Sequence, residues 1–127
     1  MSALRNHPIH RDVTGSFQEL ARKSEGIDFG QLSILSVSPG CVRGGHYHIR
    51  KKEYFCCTRG RGLLELVDIE TDHKKTYILD AIKDRVFIEV LPGFSHTVIN
   101  NDRYVDLEVL IIISEEYDEE DPDTFKY

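Results

Sequence analysis

The sequence predicts an all-β protein, a small jelly-roll barrel formed by a single domain of residues 1–127. From Gly30 onward, short apolar segments alternate with turn residues at a spacing of about 8–12 residues, which is typical of a β-sandwich or barrel. No stretch has a convincing helical period beyond a turn near 17–23. A chain of 127 residues can bury one hydrophobic core without disulfide bonds.

The N-terminal region is expected to be an arm, residues 1–12, followed by a short element. The two histidines of this region, His7 and His10, are interpreted as solvent-exposed. Gly15 predicts a turn, after which Phe17 can pack against the body of the protein. Residues 21–28 have the composition of a loop.

The rest of the chain is predicted to form one strand after another. The predicted strands are 31–39, 53–58, 63–69, 75–79, 86–91, 96–99 and 105–113, with a further extended segment through His46 and His48. The last strand is apolar on both faces towards its end. Such a strand lies either at a contact between two subunits, which would make the protein a homodimer, or in a sheet covered by the N-terminal segment.

The charge of the chain is unevenly distributed. The net charge is −6, and an acidic C-terminal tail, residues 114–127, contains seven acidic residues between Glu115 and Asp123. The remainder is nearly neutral, so no basic face is available for duplex nucleic acid, and we expect no nucleic-acid partner. No apolar run approaches the roughly 20 residues of a membrane span, so no membrane partner is expected.

The number and spacing of the cysteines indicate whether the protein resides in a reducing or an oxidising compartment. The three cysteines are an odd number, and Cys56 and Cys57 are adjacent in a predicted strand. This pattern fits a reducing cytoplasm better than a disulfide framework. The N-terminus has no signal-peptide pattern, so a cytoplasmic protein is expected. Of the two adjacent cysteines, we expect the inward-facing one to belong to the core.

The segment from Gly40 to Gly60 carries the chemistry. His46 and His48 are two positions apart, so in a strand both side chains leave the same face. Glu53 has the opposite parity and joins that face only if the chain bends between them. His96 supplies a further imidazole from a later hairpin. Imidazole and carboxylate together suit a first-row divalent metal ion, with zinc the first choice and nickel, manganese or iron the alternatives.

Four basic residues surround the histidines in an otherwise acidic protein. They could bind a diphosphate through charge-assisted hydrogen bonds, or they could form a solvated turn. The four are Arg43, Arg50, Lys51 and Lys52. Arg43, Arg50 and Lys52 are the candidate substrate-binding residues.

Three tyrosines are candidate acids for proton transfer. Tyr47 lies between the two histidines, Tyr54 follows Glu53, and Tyr104 lies in a later turn. A tyrosine can return a proton to a reacting carbon, but in a β-barrel it more often serves packing.

These residues resemble a known superfamily. The segment from Gly40 to Gly60 fits the first cupin motif, G-x5-H-x-H-x4-E-x6-G, at every fixed position. Gly93, His96 and Asn100 fit the second motif, P-x-G-x2-H-x3-N, except that the proline is adjacent to the glycine. The resemblance implies a double-stranded β-helix barrel. It also implies a metal ion bound by the matching residues His46, His48, Glu53 and His96, with His48 either the fourth ligand or the catalytic base.

The tail narrows the resemblance to a family. Residues 114–125, together with 15–19, 30–33 and 43–48, resemble the C-terminal cupin domain of bifunctional capsular-polysaccharide sugar-nucleotide epimerase/reductases. Two features depart from that family. Tyr47 replaces a tryptophan, and no Gly-x-Gly-x2-Gly fingerprint of a reductase domain is present. The sugar 3,4-ketoisomerases are the second nearest group.

The family resemblance implies an isomerase that acts on a nucleotide-linked keto-deoxysugar in surface polysaccharide synthesis. A proton next to the sugar ketone is removed to give an enolate, and its return to the other face or to another carbon gives epimerisation or keto-isomerisation. The dTDP-sugar 3,5-epimerases use the same barrel without a metal. Two alternatives remain: a non-catalytic metal- or sugar-binding cupin that partners a separate reductase, and a metal-dependent oxygenase. Cupins of this size usually pair, which favours the homodimer.

Overall fold

The computed structural model describes residues 7–83 and 85–127. Within these ranges the elements are β1 (Ile9–Asp12), β2 (Gly15–Gln18), a 3-10 helix (Lys23–Glu25), β3 (Gln31–Val37), β4 (Val42–Tyr47), β5 (Glu53–Arg59), β6 (Arg61–Asp68), β7 (Lys74–Asp80), β8 (Phe87–Val90), β9 (Phe94–Ile99), β10 (Leu107–Ile113) and β11 (Phe125–Lys126). No helix of the described residues is long and apolar enough to cross a membrane.

The strands form two antiparallel sheets and a separate hairpin. One sheet has the order β3-β10-β5-β8, the other has the order β11-β4-β9-β6-β7, and β1 pairs with β2. The main core contains Phe55 from the first sheet and Leu64, Leu66 and Val98 from the second, all at most 1% exposed. Alternate residues of each strand face this core, as period-two patterning requires. The prediction of an all-β jelly roll is confirmed.

The outer face of the four-stranded sheet is partly covered by the N-terminal segment. Tyr54, Cys56 and Phe87 form a second buried cluster, and the partly buried residues packed against it are Leu20, Ala21, Ile27, Leu110 and Ile112. The apolar outer face of β10 is therefore explained within one chain, which is the second of the two interpretations of this strand. Cys57 faces the main core, as expected of the inward cysteine.

Both ends of the chain contain more structure than the sequence predicted. Residues 1–6 of the arm lie outside the described residues, but Ile9–Asp12 is a strand whose hairpin is closed by Asp12, which accepts a hydrogen bond from the backbone N–H of Thr14 at 2.7 Å. The acidic tail ends in β11, which pairs with β4, and Asp123 in the tail is only 3% exposed. The tail is therefore attached to the five-stranded sheet.

Candidate functional site

His46 and His96 lie opposite each other on neighbouring strands. They are register partners of β4 and β9, and the register shifts between Gly44 and His46. Gly44 has a φ of +121°, and a Cβ atom at this position would overlap the backbone oxygen of His96. Only glycine fits such a close approach of two backbones. The bulge at this glycine therefore sets the register in which the two imidazoles meet.

Glu53 reaches the histidines because the chain bends between β4 and β5. The backbone N–H groups of Ile49, Arg50 and Lys51 all donate hydrogen bonds to the carboxylate of Asp123, at 2.9, 2.9 and 3.0 Å. After this bend, the Glu53 carboxylate accepts a hydrogen bond from Nε2 of His48. The sequence predicted that Glu53 could join the two histidines only if the chain bends between them, and this bend is present.

The four predicted metal ligands converge. One ring nitrogen from each of His46, His48 and His96 lies within 4.8 Å of the others. The Oε1 atom of Glu53 lies 3.3 Å from Nε2 of His96 and is hydrogen-bonded to His48. His48, Glu53 and His96 are buried, whereas His46 is partly exposed. Three imidazoles and one carboxylate at this spacing fit a first-row divalent ion.

The electrostatics favour metal-binding protonation states at three of the four donors, Glu53, His46 and His96. Burial alone would raise the pKa of Glu53, but the hydrogen bond from His48 and the charges of the three histidines hold it below its usual value. Burial lowers the pKa of His46 and lowers that of His96 to about 4. Burial also opposes charge on His48, but the hydrogen bond and charge of Glu53 raise its pKa. The site therefore contains a carboxylate and two neutral imidazoles at neutral pH, all able to coordinate a metal.

Two cavities of about 160 Å³ each flank the four donors. His46 and Glu53 line both cavities. The first is mainly apolar, with Arg43 at its edge and Phe55 and Ile111 among its walls. The second has about equal polar and apolar surface and lies on the tail side; besides the donors its lining includes Gln31, Lys51, Glu115, Tyr117 and Thr124. A small molecule in either cavity would contact the donor group.

The family model named for the polysaccharide biosynthesis C-terminal domain matches residues 10–125. The chain belongs to this family. The predicted relationship to the cupin domain of capsular-polysaccharide enzymes is therefore confirmed.

The chain is similar to two relatives and, in its fold, to one further protein. A UDP-2-acetamido-2,6-beta-L-arabino-hexul-4-ose reductase of Pseudomonas aeruginosa is 32% identical over 118 residues, 93% of this chain and 30% of that protein. The capsular polysaccharide assembling protein CapF of Staphylococcus aureus superposes with a TM-score of 0.72 and 26% identity, covering 94% of this chain and 34% of CapF. This chain thus spans about a third of the length of these two relatives.

The third is NovW, a 4-keto-6-deoxy sugar epimerase from the novobiocin biosynthetic gene cluster of Streptomyces spheroides. It superposes with a TM-score of 0.80 and 18% identity, covering 95% of this chain and 66% of NovW. At this identity the likeness concerns the fold, and it confirms the predicted cupin barrel for this member of the polysaccharide biosynthesis C-terminal domain family.

The three predicted tyrosine acids do not lie on the cavities. Tyr47 points away from the histidines and packs against Phe125 of the tail, with ring centroids 5.5 Å apart. Tyr54 is buried on the outer face of its sheet and stacks on Phe87 at 6.1 Å. Tyr104 is 84% exposed in a loop. Tyr47 and Tyr54 therefore lie outside the cavities, because each alternates with an inward-facing ligand candidate along the chain.

Of the predicted substrate-binding cations, one lies at the site. Arg43 lines the apolar cavity beside the donors. Arg50 instead pairs with Glu115 and Asp121, each at 3.2 Å. Lys52 pairs with Asp28 at 3.1 Å. Arg50 and Lys52 thus pair with carboxylates of the same chain and line neither cavity.

Sequence reasoning missed two tail residues that contact the site. Tyr117 lines the tail-side cavity, where the ammonium of Lys51 lies 5.5 Å from its ring centroid. Asp123 accepts the three backbone hydrogen bonds of the bend. The tail sequence indicated the family. It contains seven acidic residues, however, and nothing in the sequence singled out Asp123 as the one that contacts the bend.

The metal-free protein is expected to lose stability as the pH falls from about 6.5 to about 4. The pKa of His96 is lowered from 6.5 to about 4 in the native state by burial. Between these values the unfolded chain binds the proton and the native protein does not, so the free energy of unfolding rises with pH across this window. The difference corresponds to roughly 3 kcal/mol for this group. Urea unfolding at a series of pH values measures it.

A His96→Gln variant isolates the contribution of this imidazole, because glutamine does not titrate. The pH slope of its unfolding free energy should be flatter than that of the wild type over the same window. His73→Gln is the matched control, since His73 is exposed and its slope should equal the wild-type slope. The lowered pKa of Glu53 adds to the loss in more acidic solution in every variant that retains this residue. Equal slopes in wild type and His96→Gln would contradict the assignment.

Proposed function

We propose that this chain is an isomerase that acts on a nucleotide-linked keto-deoxysugar in surface polysaccharide biosynthesis, with a divalent ion held by three imidazoles and Glu53. The observation that carries the proposal is the convergence of these donors from three strands between two small cavities. The names of relatives support the substrate class, since the Pseudomonas aeruginosa protein is named for a UDP-linked 4-ulose and NovW for a 4-keto-6-deoxy sugar.

The chemistry follows from the acidity of hydrogens next to a ketone. Removing such a proton gives an enolate, whose negative charge must be stabilised. A divalent ion, zinc or alternatively nickel, manganese or iron, would supply that stabilisation as a Lewis acid at the sugar oxygen. His46, His48 and His96 would hold the ion, with the ionised Glu53 completing the donor set. Nδ1 of His48 is held by the backbone oxygen of Asp123, so Nε2 would bind the ion after releasing the proton that it donates to Glu53.

Proton transfer and binding of the substrate diphosphate are assigned to residues on different cavities. Tyr117 lines the tail-side cavity, and its hydroxyl would exchange the proton with the reacting carbon. Arg43, on the other cavity, makes no salt bridge within residues 7–83 and 85–127, so its guanidinium remains available for the diphosphate. Tyr117 takes the place of the tyrosines that the sequence favoured, whereas Arg43 is one of the three cations that the sequence named.

The experiment is solvent exchange. The protein is incubated in deuterated buffer with UDP- and dTDP-linked 4-keto-6-deoxysugars, and deuterium in the sugar is measured by mass spectrometry. We expect incorporation next to the ketone, reduced about 100-fold in Tyr117→Phe because a positioned acid or base contributes roughly 10²–10⁴-fold. Tyr104→Phe, which removes the same hydroxyl from an exposed loop, should exchange at the wild-type rate.

The same assay separates the alternatives. Tight sugar or metal binding without exchange would indicate a non-catalytic cupin that partners a separate reductase. Oxygen consumption with iron-loaded protein would indicate an oxygenase. If exchange is accompanied by a new sugar, the position of its ketone identifies the reaction. Epimerisation retains the ketone position, and keto-isomerisation moves it.

A homodimer in the cytoplasm belongs to the same proposal. Phe29 and the edge-strand residues Leu32 and Ile34 are exposed apolar side chains on one side of the four-stranded sheet. They offer a surface for a second copy of the chain. The free thiols of Cys41, Cys56 and Cys57 are consistent with a reducing compartment. Light scattering of purified protein measures the mass.

A further inference from the structure

The ring of His48 is held from behind by the tail. Its Nδ1 atom lies 2.6 Å from the backbone oxygen of Asp123. A carbonyl oxygen only accepts hydrogen bonds, so Nδ1 must carry the proton and donate it. The other ring nitrogen, Nε2, is then directed to Glu53 and the neighbouring imidazoles. One backbone atom of the tail thus fixes both the proton position and the orientation of a metal-ligand candidate.

The side chain of the same residue fixes that backbone atom in place. The Asp123 carboxylate accepts three backbone hydrogen bonds from the bend that follows His48. Asp123 is 3% exposed and has a left-handed φ of +47°. Among the seven acidic residues from 115 to 123, it is the buried one. Its contacts are therefore those of a specific anchor, unlike those of its solvated neighbours.

The adjoining tail residues strengthen the attachment on both sides. The ammonium of Lys51 donates to the backbone oxygen of Pro122 at 3.0 Å. Beyond Asp123, β11 pairs with β4 so that Phe125 faces Tyr47 and Lys126 faces His46 in the register. The Asp123 carboxylate is the link between these contacts and the bend that separates His48 from Glu53.

We propose that Asp123 is a positioning residue for metal binding: its carboxylate anchors the tail so that its carbonyl holds His48 with Nε2 facing the ion. The proposal rests on the metal-binding function proposed above. A histidine ligand is commonly oriented by a hydrogen bond from its second ring nitrogen, and loss of that partner lowers metal affinity by about 10–100-fold. Here the partner comes from a part of the chain that the cupin motifs do not include.

The test compares Asp123→Ala, Asp123→Asn and the control Glu120→Gln, which removes an exposed charge from the same tail. Zinc affinity is measured by competition with a chromophoric chelator. We expect Asp123→Ala to bind zinc about 10–100-fold more weakly. Asp123→Asn should lie between it and the wild type, because an amide oxygen can still accept from the bend and asparagine tolerates the left-handed conformation. Glu120→Gln should match the wild type.

The second readout is independent of metal. In metal-free protein the Nδ1 proton of His48, assigned by its loss in His48→Gln, should give a protected signal in ¹H–¹⁵N NMR spectra. That signal should exchange faster with solvent in Asp123→Asn and be lost in Asp123→Ala. If Asp123→Ala does not fold, the asparagine variant alone decides by both readouts.

The outcomes separate the two proposals. Wild-type zinc affinity together with a protected His48 proton in the folded Asp123 variants would overturn the positioning role and leave the metal site standing. A wild-type protein that binds no zinc would overturn the proposed metal function instead. In that case the NMR comparison still decides whether Asp123 holds His48: an unchanged signal in the variants contradicts it.

Discussion

His46→Ala and His96→Ala are each expected to weaken zinc binding on the order of 100-fold or more, because each removes one imidazole from a small donor set whose members act together. Both residues lie at the cavities that flank the donors, so truncation enlarges existing space instead of breaking a sheet contact. The folded barrel should therefore survive in both variants. Elemental analysis after dialysis and chelator competition measure the affinity, and circular dichroism checks the fold.

The matched control is His73→Ala. His73 is exposed and lies outside the strands, in the loop that precedes β7. An exposed imidazole can bind zinc weakly, so removal of His73 controls for loss of a surface histidine. One equivalent of zinc bound with wild-type affinity by either cavity variant would remove that histidine from the ligand set.

Gly44→Ala is expected to destabilise the protein by roughly 3–5 kcal/mol. A left-handed backbone at a residue with a side chain costs about 1–3 kcal/mol, and here the new methyl group would also overlap the backbone oxygen of His96. The overlap cannot be relieved by rotating a side chain, because the neighbouring atom belongs to the backbone of β9. The register between β4 and β9 must shift, which separates His46 from His96. Urea unfolding measures the loss.

Gly45→Ala separates the two causes. Gly45 has a φ of +80°, but a Cβ atom there would have no neighbour within 4 Å. This variant should therefore show the conformational cost alone, about 1–2 kcal/mol, and retain most of its zinc affinity. An alanine at position 44 that costs no more than one at position 45 would show that the close approach of the two strands does not limit the site.

The fold was predictable because its determinants are local. Alternating burial in β6, where Gly62, Leu64 and Leu66 are buried, follows directly from a period-two pattern with turn residues on either side. The hairpin at Ile9–Asp12 was missed because it is short, polar and exposed. Its pairing depends on an Asx turn at Asp12, and such side-chain-to-backbone contacts leave little trace in hydrophobic periodicity.

The convergence of the candidate metal ligands was predictable because three of them lie within one short segment. The outward placement of two tyrosines was already contained in the sequence: Tyr47 lies between two inward-facing histidines, and Tyr54 follows inward-facing Glu53. In a strand such residues face outward. Tyr117 and Asp123 could not be assigned in this way, because only the folded chain brings the tail to the bend after His48.

The most direct test of the account is deuterium exchange into a nucleotide-linked 4-keto-6-deoxysugar by wild-type protein before and after removal of metal. Stripping the protein with a chelator should reduce exchange to the rate without protein, and one equivalent of a divalent ion should restore it. Exchange at the full rate by stripped protein would contradict a metal-dependent reaction.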